Sequence, residues 1–260
     1  MKESIKNIFR PIYWVFYAFW HNLKSESPVF IVGCAHSGTT LILRILYEHK
    51  DLYAVDYESS VIGANYINYP MLAEWTKTAR NTKKSAWVEK TPDQIRYLGK
   101  IFSVFPKAKV IVMLRDGRDV ALSLKNRSGN LDDHMERWVH DNKLWLQYEN
   151  DARVISIKLE DFVNDSKLSL AKICDHIGVD YNDKLLEYHN KDFKYSGTDA
   201  KKTDGKGENH QHNRNWQVNQ KIFKSTSRWM TEASADDMAS FEKSPIFKEL
   251  LNKFNYLNDK

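Results

Sequence analysis

Residues 28–44 read Pro-Val-Phe-Ile-Val-Gly-Cys-Ala-His-Ser-Gly-Thr-Thr-Leu-Ile-Leu-Arg and combine three local patterns. The apolar run at 29–32 predicts a buried strand. A tight turn is predicted at 33–38, and apolar residues with helical spacing follow from Thr39. Glycines let backbone N–H groups converge on an anion, and a helix N-terminus adds unsatisfied donors and the positive end of its dipole. This order of elements predicts a phosphate-binding loop.

The glycine spacing of this loop, Gly33-x-x-x-x-Gly38, is that of a P-loop, but Thr39 stands where a nucleotide triphosphatase has lysine. That lysine serves the β- and γ-phosphates, so its absence argues against ATP or GTP hydrolysis. A ligand with a single 5′-phosphate fits the groups that remain. The alternative interpretation is a strand-to-helix turn whose glycines serve geometry alone. Two hydroxyls at the helix start, Thr39 and Thr40, favour the phosphate site.

Length and charge narrow the class of protein. The chain has 260 residues, which is enough for one α/β domain with elaborations. Its 39 basic and 34 acidic residues give a formal net charge of +5. This small excess suits an anionic ligand, but no basic block indicates nucleic-acid binding. The two cysteines are too few for a disulfide framework and fit a reducing, cytoplasmic location.

The N-terminal segment, residues 1–27, is predicted to form an aromatic and basic helix ahead of a domain at 28–260. Its apolar run at 12–20 is shorter than the ~20 residues that a membrane-spanning helix needs. It also lacks the small-residue cleavage site of a signal peptide. Aromatic residues beside basic ones suit a helix on a membrane surface, so peripheral membrane contact through residues 1–20 is one interpretation. Packing against the domain or a partner is the other.

Apolar runs predict four further strands, at 52–55, 86–88, 110–114 and 154–157. The run at 110–114 has five apolar residues without alternation, which is typical of a strand buried on both faces. Helical patterns lie between the strands. The sequence thus predicts an α/β fold, a P-loop-like three-layer sandwich with a central parallel sheet of about five strands.

Three further predictions concern helices and a loop. Pro92 at a first helical position, with Thr91 as its cap, predicts a helix that continues towards Phe105. A helical pattern also covers 236–254. Residues 194–215 have almost no aliphatic side chains and predict a mobile loop that acts as a ligand lid.

The histidines near that loop, His189, His210 and His212, lack a cysteine or carboxylate in metal-ligand spacing. We therefore interpret them as solvated loop residues and predict no metal site.

Two motifs carry a family resemblance. The chain resembles sulfotransferases that use 3′-phosphoadenosine-5′-phosphosulfate (PAPS), of the bacterial-type group related to tyrosylprotein sulfotransferases. The family's 5′-phosphosulfate loop, Gly-x-x-Arg-Ser-Gly-Thr-Thr-Leu, is similar to residues 33–41, where His36 replaces the arginine. Its 3′-phosphate strand-loop-helix is similar to residues 110–123, with Arg115 at the strand end and Ser123 eight residues later.

Further matches follow in the family's order, so that the resemblance covers most of residues 28–257. Residues 89–92, Glu-Lys-Thr-Pro, resemble the segment before the family's long helix. Residues 159–163, Leu-Glu-Asp-Phe-Val, resemble its Tyr-Glu-Asp-Leu-Val, with leucine in place of tyrosine. Residues 227–229, Ser-Arg-Trp, resemble its C-terminal Ser/Gly-Arg/Lys-Trp segment.

The resemblance implies sulfuryl transfer from PAPS to a hydroxyl acceptor without a metal. The nucleotide-binding residues that it implies are Ala35, His36, Ser37, Gly38, Thr39, Thr40, Arg115, Ser123 and Arg127. The candidates for holding the equatorial and bridging oxygens are Lys90, Ser227 and His36. Glu58 is the expected general base, with Asp56 second and Glu89 third. A sugar, a lipid-linked glycan or a phenol would suit as acceptor, and a carbohydrate hydroxyl is preferred.

Two other functions stay open at this point. A P-loop-like nucleotide kinase is disfavoured by Thr39 in the lysine position and by the lack of an evident Asp pair for magnesium. A nucleotide-binding protein that has lost catalysis is compatible with His36 in place of the family's arginine.

Overall fold

The computed structural model of the chain describes residues 23–127, 129–193, 216, 218–223 and 226–257. The predicted N-terminal helix lies outside these ranges up to residue 22, as does the predicted lid at 194–215. Membrane contact, cytoplasmic location and the division at residue 28 therefore stay predictions. None of the helices within the described ranges combines the length and the apolar composition needed to cross a bilayer.

Five parallel strands form the central sheet. They are β1 Val29–Gly33, β2 Leu52–Ala54, β3 Ala86–Lys90, β4 Lys109–Leu114 and β5 Val154–Lys158. Their order in space is β2-β3-β1-β4-β5. The central strand β1 pairs with β3 through Val29 and Val88 and with β4 through Val29 and Lys109. The predicted parallel sheet of about five strands is confirmed.

Helices cover both faces of this sheet. In chain order they are α1 Thr39–Tyr47, α2 Tyr69–Asn81, α3 Leu98–Val104, α4 Gly117–Lys125, α5 Leu131–Leu146, α6 Leu159–Asn164, α7 Ser166–Ile177, α8 Trp229–Glu232, α9 Ala235–Lys243 and α10 Pro245–Lys253. Short 3-10 helices occupy Leu23–Ser25, Pro92–Tyr97 and Asp183–Asn190.

Side chains of β1 alternate between two hydrophobic cores. Phe30 and Val32 pack in a core with residues of α2, α3 and α5. Val29 and Ile31 point to the opposite core, which contains residues of α1 and α7. Successive side chains of a strand point to opposite faces of its sheet, so both faces of β1 are covered. This arrangement confirms the three-layer sandwich.

Close backbone approach explains Gly33 of the predicted phosphate loop, and a left-handed backbone explains Gly38. A Cβ on Gly33 would lie 2.5 Å from the carbonyl oxygen of Met113 on the neighbouring strand. Gly38 has φ +88 and is the N-cap of α1, and a Cβ there would meet Leu159 at 2.8 Å. Both positions therefore require glycine, and the chain turns directly from β1 into α1.

Two helix predictions differ from the structure. The predicted helix from Pro92 is a 3-10 helix followed by α3, and Thr91 makes no capping bond, since its hydroxyl donates to Glu89 instead. The predicted helix at 236–254 is divided into α9 and α10, because Pro245 cannot continue α9 but suits the first position of a new helix.

Candidate active site

A cavity of about 450 Å³ opens where the C-terminal ends of β1, β3 and β4 meet. Ligands of open parallel sheets bind at this edge, and the volume lies in the usual range of roughly 300–1,000 Å³ for small-molecule sites. Of the predicted site residues, those that line the cavity are Ala35, His36, Gly38, Thr39, Thr40, Glu58, Arg115, Ser123 and Arg127.

The loop between β1 and α1 presents polar groups to the cavity. The first N–H groups of a helix have no acceptor within the helix, and those of α1 follow Gly38 directly. The hydroxyl of Ser37 is buried and has no hydrogen-bond partner in the part of the chain that the structure describes. A buried hydroxyl of this kind normally has a partner, so the loop fits an anionic ligand.

Cys34 belongs to the loop, but its side chain packs in a hydrophobic core and does not line the cavity. Burial, with the Asp141 carboxylate nearby, raises the pKa of its thiol well above the usual value. The thiol is therefore protonated at neutral pH and serves packing.

Arg115 and Ser123 lie against the phosphate loop. Nη1 of Arg115 donates to the carbonyl oxygen of His36 at 3.0 Å, and its side chain is almost wholly buried. Nδ1 of His36 lies 2.7 Å from Oγ of Ser123. His36 has φ +68, a left-handed conformation that aims its ring across the loop at α4. His36, in the loop expected at the 5′-phosphosulfate, thus contacts both Arg115 and Ser123, which are expected at the 3′-phosphate.

Glu58 and Lys90 form an ion pair at the edge of the cavity. Nζ of Lys90 lies 2.5 Å from Oε1 of Glu58. The lysine side chain is wholly buried, while 31% of the glutamate side chain is exposed. Glu58 lines the cavity and Asp56 does not, although both follow β2. The geometry therefore favours Glu58 over Asp56 as the carboxylate that meets a ligand.

The turn that carries Glu58 is held by the end of β3. Oε1 of Glu89 accepts hydrogen bonds from the hydroxyls of Ser59 at 2.7 Å and Thr91 at 2.5 Å. Oγ1 of Thr91 in turn accepts from the backbone N–H of Ser60. Burial raises the pKa of Glu89 to about 7, against these hydrogen bonds, which lower it. Glu89 does not reach the cavity, so its position favours a structural role over that of a base.

Ser227 is exposed and stands beside the cavity lining rather than in it, with φ +60. Its neighbour Arg228 lines the cavity and pairs with Glu232 at 2.7 Å. The Arg228–Glu232 pair was not predicted from the sequence, although Arg228 belongs to the Ser-Arg-Trp motif.

One side of the cavity is apolar. It includes Leu41, Leu159, Val163, Val218, Ile222 and Phe223. These residues come from α1, α6 and residues 218–223, and their sequence pattern does not differ from that of core residues. Sequence analysis therefore could not identify this wall, apart from noting Leu159 where the family has tyrosine.

No cluster of three or more His, Cys, Asp or Glu side chains that could hold a metal ion occurs in the described ranges. His210 and His212 lie outside those ranges.

A family model described as "Sulfotransferase family" matches residues 64–183. The chain is similar to the sulfotransferase family over this segment, which is less than half of its length. The matched segment contains Glu89, Lys90, Arg115 and Ser123, and it begins after the phosphate loop.

Solved sulfotransferase structures share the fold at low identity. The sulfotransferase domain of the Synechococcus PCC 7002 olefin synthase is 18% identical with a TM-score of 0.58, and the alignment covers 84% of this chain and 95% of that one. The sulfotransferase domain from the curacin biosynthetic pathway is 16% identical with the same TM-score, over 84% and 97% of the two chains. Mouse sulfotransferase SULT7A1, solved in complex with PAP, is 16% identical with a TM-score of 0.54, over 88% of each chain.

A curated relative, an uncharacterized protein of Aquifex aeolicus (strain VF5), is 25% identical over 214 residues. The match covers 64% of this chain and 27% of the relative, so the chain spans about a quarter of that protein's length.

Proposed function

We propose that this protein is a sulfotransferase that moves a sulfuryl group from PAPS to a hydroxyl acceptor. The observation that carries the proposal is the contact between the two anion-binding elements. Arg115 and Ser123 both bond to His36 of the phosphate loop, and all three line one cavity. A nucleotide with phosphates at both ends of its ribose needs two such elements side by side.

Donor binding would use the loop and the apolar wall together. The N-terminus of α1 and the Ser37 hydroxyl would hold the 5′-phosphosulfate, since both present unsatisfied donors. Arg115 offers a planar, fixed-charge fork for the 3′-phosphate, with Ser123 and Arg127 beside it. The apolar wall around Leu159 and Ile222 suits a nucleobase. The complex of mouse SULT7A1 with PAP (3′,5′-bisphosphoadenosine) supports this choice of ligand.

Catalysis would depend on Glu58 and Lys90. PAPS supplies the sulfuryl group when it is bound. Glu58 is partly exposed to the cavity and would take the proton of the acceptor hydroxyl. Lys90 holds that carboxylate at 2.5 Å and contributes positive charge below the site. His36 would hold donor oxygens from the loop, and Ser227 would do so from the opposite side. No metal is part of the proposal.

The acceptor would approach from the side of Glu58 and Pro92, away from the apolar wall. A hydroxyl-bearing molecule is required by the reaction, and we propose a carbohydrate hydroxyl ahead of a phenol or a lipid-linked glycan.

The test has two parts. Calorimetric titration with PAP, with 5′-AMP and with ATP, each with and without magnesium, should show tight PAP binding that does not need the metal. Labelled sulfate should then pass from PAPS to at least one of a panel of sugars, glycans and phenols. Binding without transfer would indicate a nucleotide-binding protein without catalysis. Magnesium-dependent ATP binding in place of PAP binding would indicate a kinase and overturn the proposal.

A further inference from the structure

Asp119 lies beneath the proposed nucleotide site and contacts two separate parts of it. Its side chain is wholly buried, four residues after Arg115 in the chain. Oδ2 of Asp119 lies 3.4 Å from Nη2 of Arg115. Oδ1 accepts a hydrogen bond from the backbone N–H of Trp229 at 2.9 Å. One carboxylate therefore joins the guanidinium proposed for the 3′-phosphate to the backbone at the start of α8.

Trp229 in turn positions a wall of the cavity. The guanidinium of Arg118 stacks on its indole, 3.7 Å from the ring centroid. Arg118 is fixed by an ion pair with Asp116 at 2.6 Å. Trp229 is thus held to α4 by its backbone and by its ring. Arg228, the preceding residue, lines the cavity, so its position follows from this attachment.

The two contacts of Asp119 use the two oxygens of one carboxylate. Arg115 and the backbone of Trp229 are both N–H donors, and the carboxylate offers each of them an oxygen. Both bonds therefore depend on the orientation of one side chain, and leaving a buried donor without its acceptor is costly. An anion that binds Arg115 redirects its guanidinium and therefore acts on the carboxylate that holds Trp229.

We propose that Asp119 is a positioning residue that couples occupancy of the nucleotide site at Arg115 to the order of residues 226–232. The inference rests on the proposed function, because it takes a nucleotide phosphate as the ligand of Arg115. Binding of the nucleotide then fixes Arg228 at the cavity wall, and the wall in turn strengthens nucleotide binding, since coupling between two sites is reciprocal.

Hydrogen exchange with PAP tests this coupling without an acceptor. In the native protein, PAP should slow amide exchange in peptides that cover 226–232 by about fivefold or more, the lower end of common coupling strengths. In Asp119→Asn one acceptor oxygen is lost, so PAP affinity should fall by about tenfold. The slowing of exchange by PAP should also disappear in this variant.

Lys125→Met is the matched control. Lys125 pairs with Asp237 at 2.6 Å and ties α9 to the same helix α4, but Lys125 does not line the cavity. This variant should keep the affinity for PAP and the PAP-dependent slowing at 226–232. Equal effects of both variants would mean that Asp119 is only a structural anchor, and the coupling would be overturned.

Thermal melting would show whether Asp119→Asn folds. If it does not, hydrogen exchange in the native protein alone still tests the coupling. PAP that binds the native protein without slowing exchange at 226–232 would overturn the coupling and leave the proposed function intact. A native protein that does not bind PAP would overturn the nucleotide assignment, and the coupling with it.

Discussion

Oε1 of Glu58 lies 2.5 Å from Nζ of Lys90, and of these two side chains the glutamate alone lines the cavity. The lysine is wholly buried at the end of β3. The pair therefore places a carboxylate at the edge of the proposed donor site, with its counter-charge on the protein side.

Glu58→Gln should lower turnover by roughly two to four orders of magnitude, the usual range for a positioned base. Affinity for PAP should stay nearly unchanged, because the apolar wall and the loop that would hold the nucleotide are untouched. Steady-state kinetics with labelled PAPS and calorimetry with PAP measure the two quantities.

Asp56→Asn is the control for this prediction, since Asp56 lies two residues away and outside the cavity lining. It should retain near-native turnover. If Asp56→Asn loses activity while Glu58→Gln keeps it, the base is Asp56, and if both variants stay active the proposed mechanism is wrong.

The raised pKa of Glu89 predicts that the stability of the protein depends on pH. Burial raises its pKa from 4.5 to about 7, so the folded protein binds this proton more tightly than the unfolded chain. The stabilisation is therefore fully present below pH 4.5 and is lost as the pH rises to about 7. The difference of about 2.5 pKa units corresponds to about 3 kcal/mol.

Glu89→Gln should remove this dependence, because an amide resembles the protonated carboxyl and does not titrate. The free energy of unfolding of the variant relative to the native protein should rise by about 3 kcal/mol between pH 4.5 and pH 8. Urea denaturation at both values measures it. Glu136→Gln, at an exposed position on α5, makes the same change of charge and should show no such difference. If the free energy of unfolding of the native protein and of Glu89→Gln depended on pH in the same way, the raised pKa of Glu89 would be wrong.

The sheet and the turn from β1 into α1 could be predicted because their signals are local. Each signal is contained in a short stretch of sequence, namely the apolar run at 110–114 and the glycines of the loop at 33–38. Arg115 could be placed because a polar residue that follows a buried parallel strand must emerge at the ligand-binding edge. The division between α9 and α10 also had a local signal, Pro245, which the helical pattern on either side concealed.

The rest of the site depends on contacts between distant residues. Glu58 and Lys90 are 32 residues apart, and Asp119 and Trp229 are 110 apart. Asp119 has the appearance of an ordinary carboxylate in the first turn of a helix, where acidic residues are common. Its burial and its two donors are consequences of how α4 packs against the C-terminal segment, which no local pattern specifies.

His36→Arg should retain or improve affinity for PAP. Arginine is charged at every accessible pH, whereas imidazole has a reference pKa of about 6.5, so the gain should be largest in alkaline buffer. Histidine and arginine both carry the cost of the left-handed backbone at φ +68, so thermal stability should change little. His140→Arg adds the same charge at a side chain that is 60% exposed and should leave PAP affinity unchanged. A tenfold loss of affinity in His36→Arg would assign His36 another role, such as fixing Ser123.

The last prediction separates this donor site from that of an ordinary 5′-nucleotide. Arg115 and Ser123 lie beside the loop with His36 between them, and Arg127 lies one turn after Ser123 on the cavity side. A 5′-nucleotide has no group to pair with this set, while PAP has its 3′-phosphate. The native protein should therefore bind PAP far more tightly than 5′-AMP.

Arg115→Ala should remove most of that difference, because each charge-assisted hydrogen bond to the phosphate is worth about 1.5–3 kcal/mol, or roughly 10- to 150-fold in affinity. Arg153→Ala, which loses a guanidinium that pairs with Asp151 and does not line the cavity, is the matched control and should discriminate as the native protein does. Calorimetric titration of both nucleotides into all three proteins gives the ratios. Equal affinities of the native protein for PAP and 5′-AMP would show that Arg115 and Ser123 do not read a 3′-phosphate, and the proposed donor would be wrong.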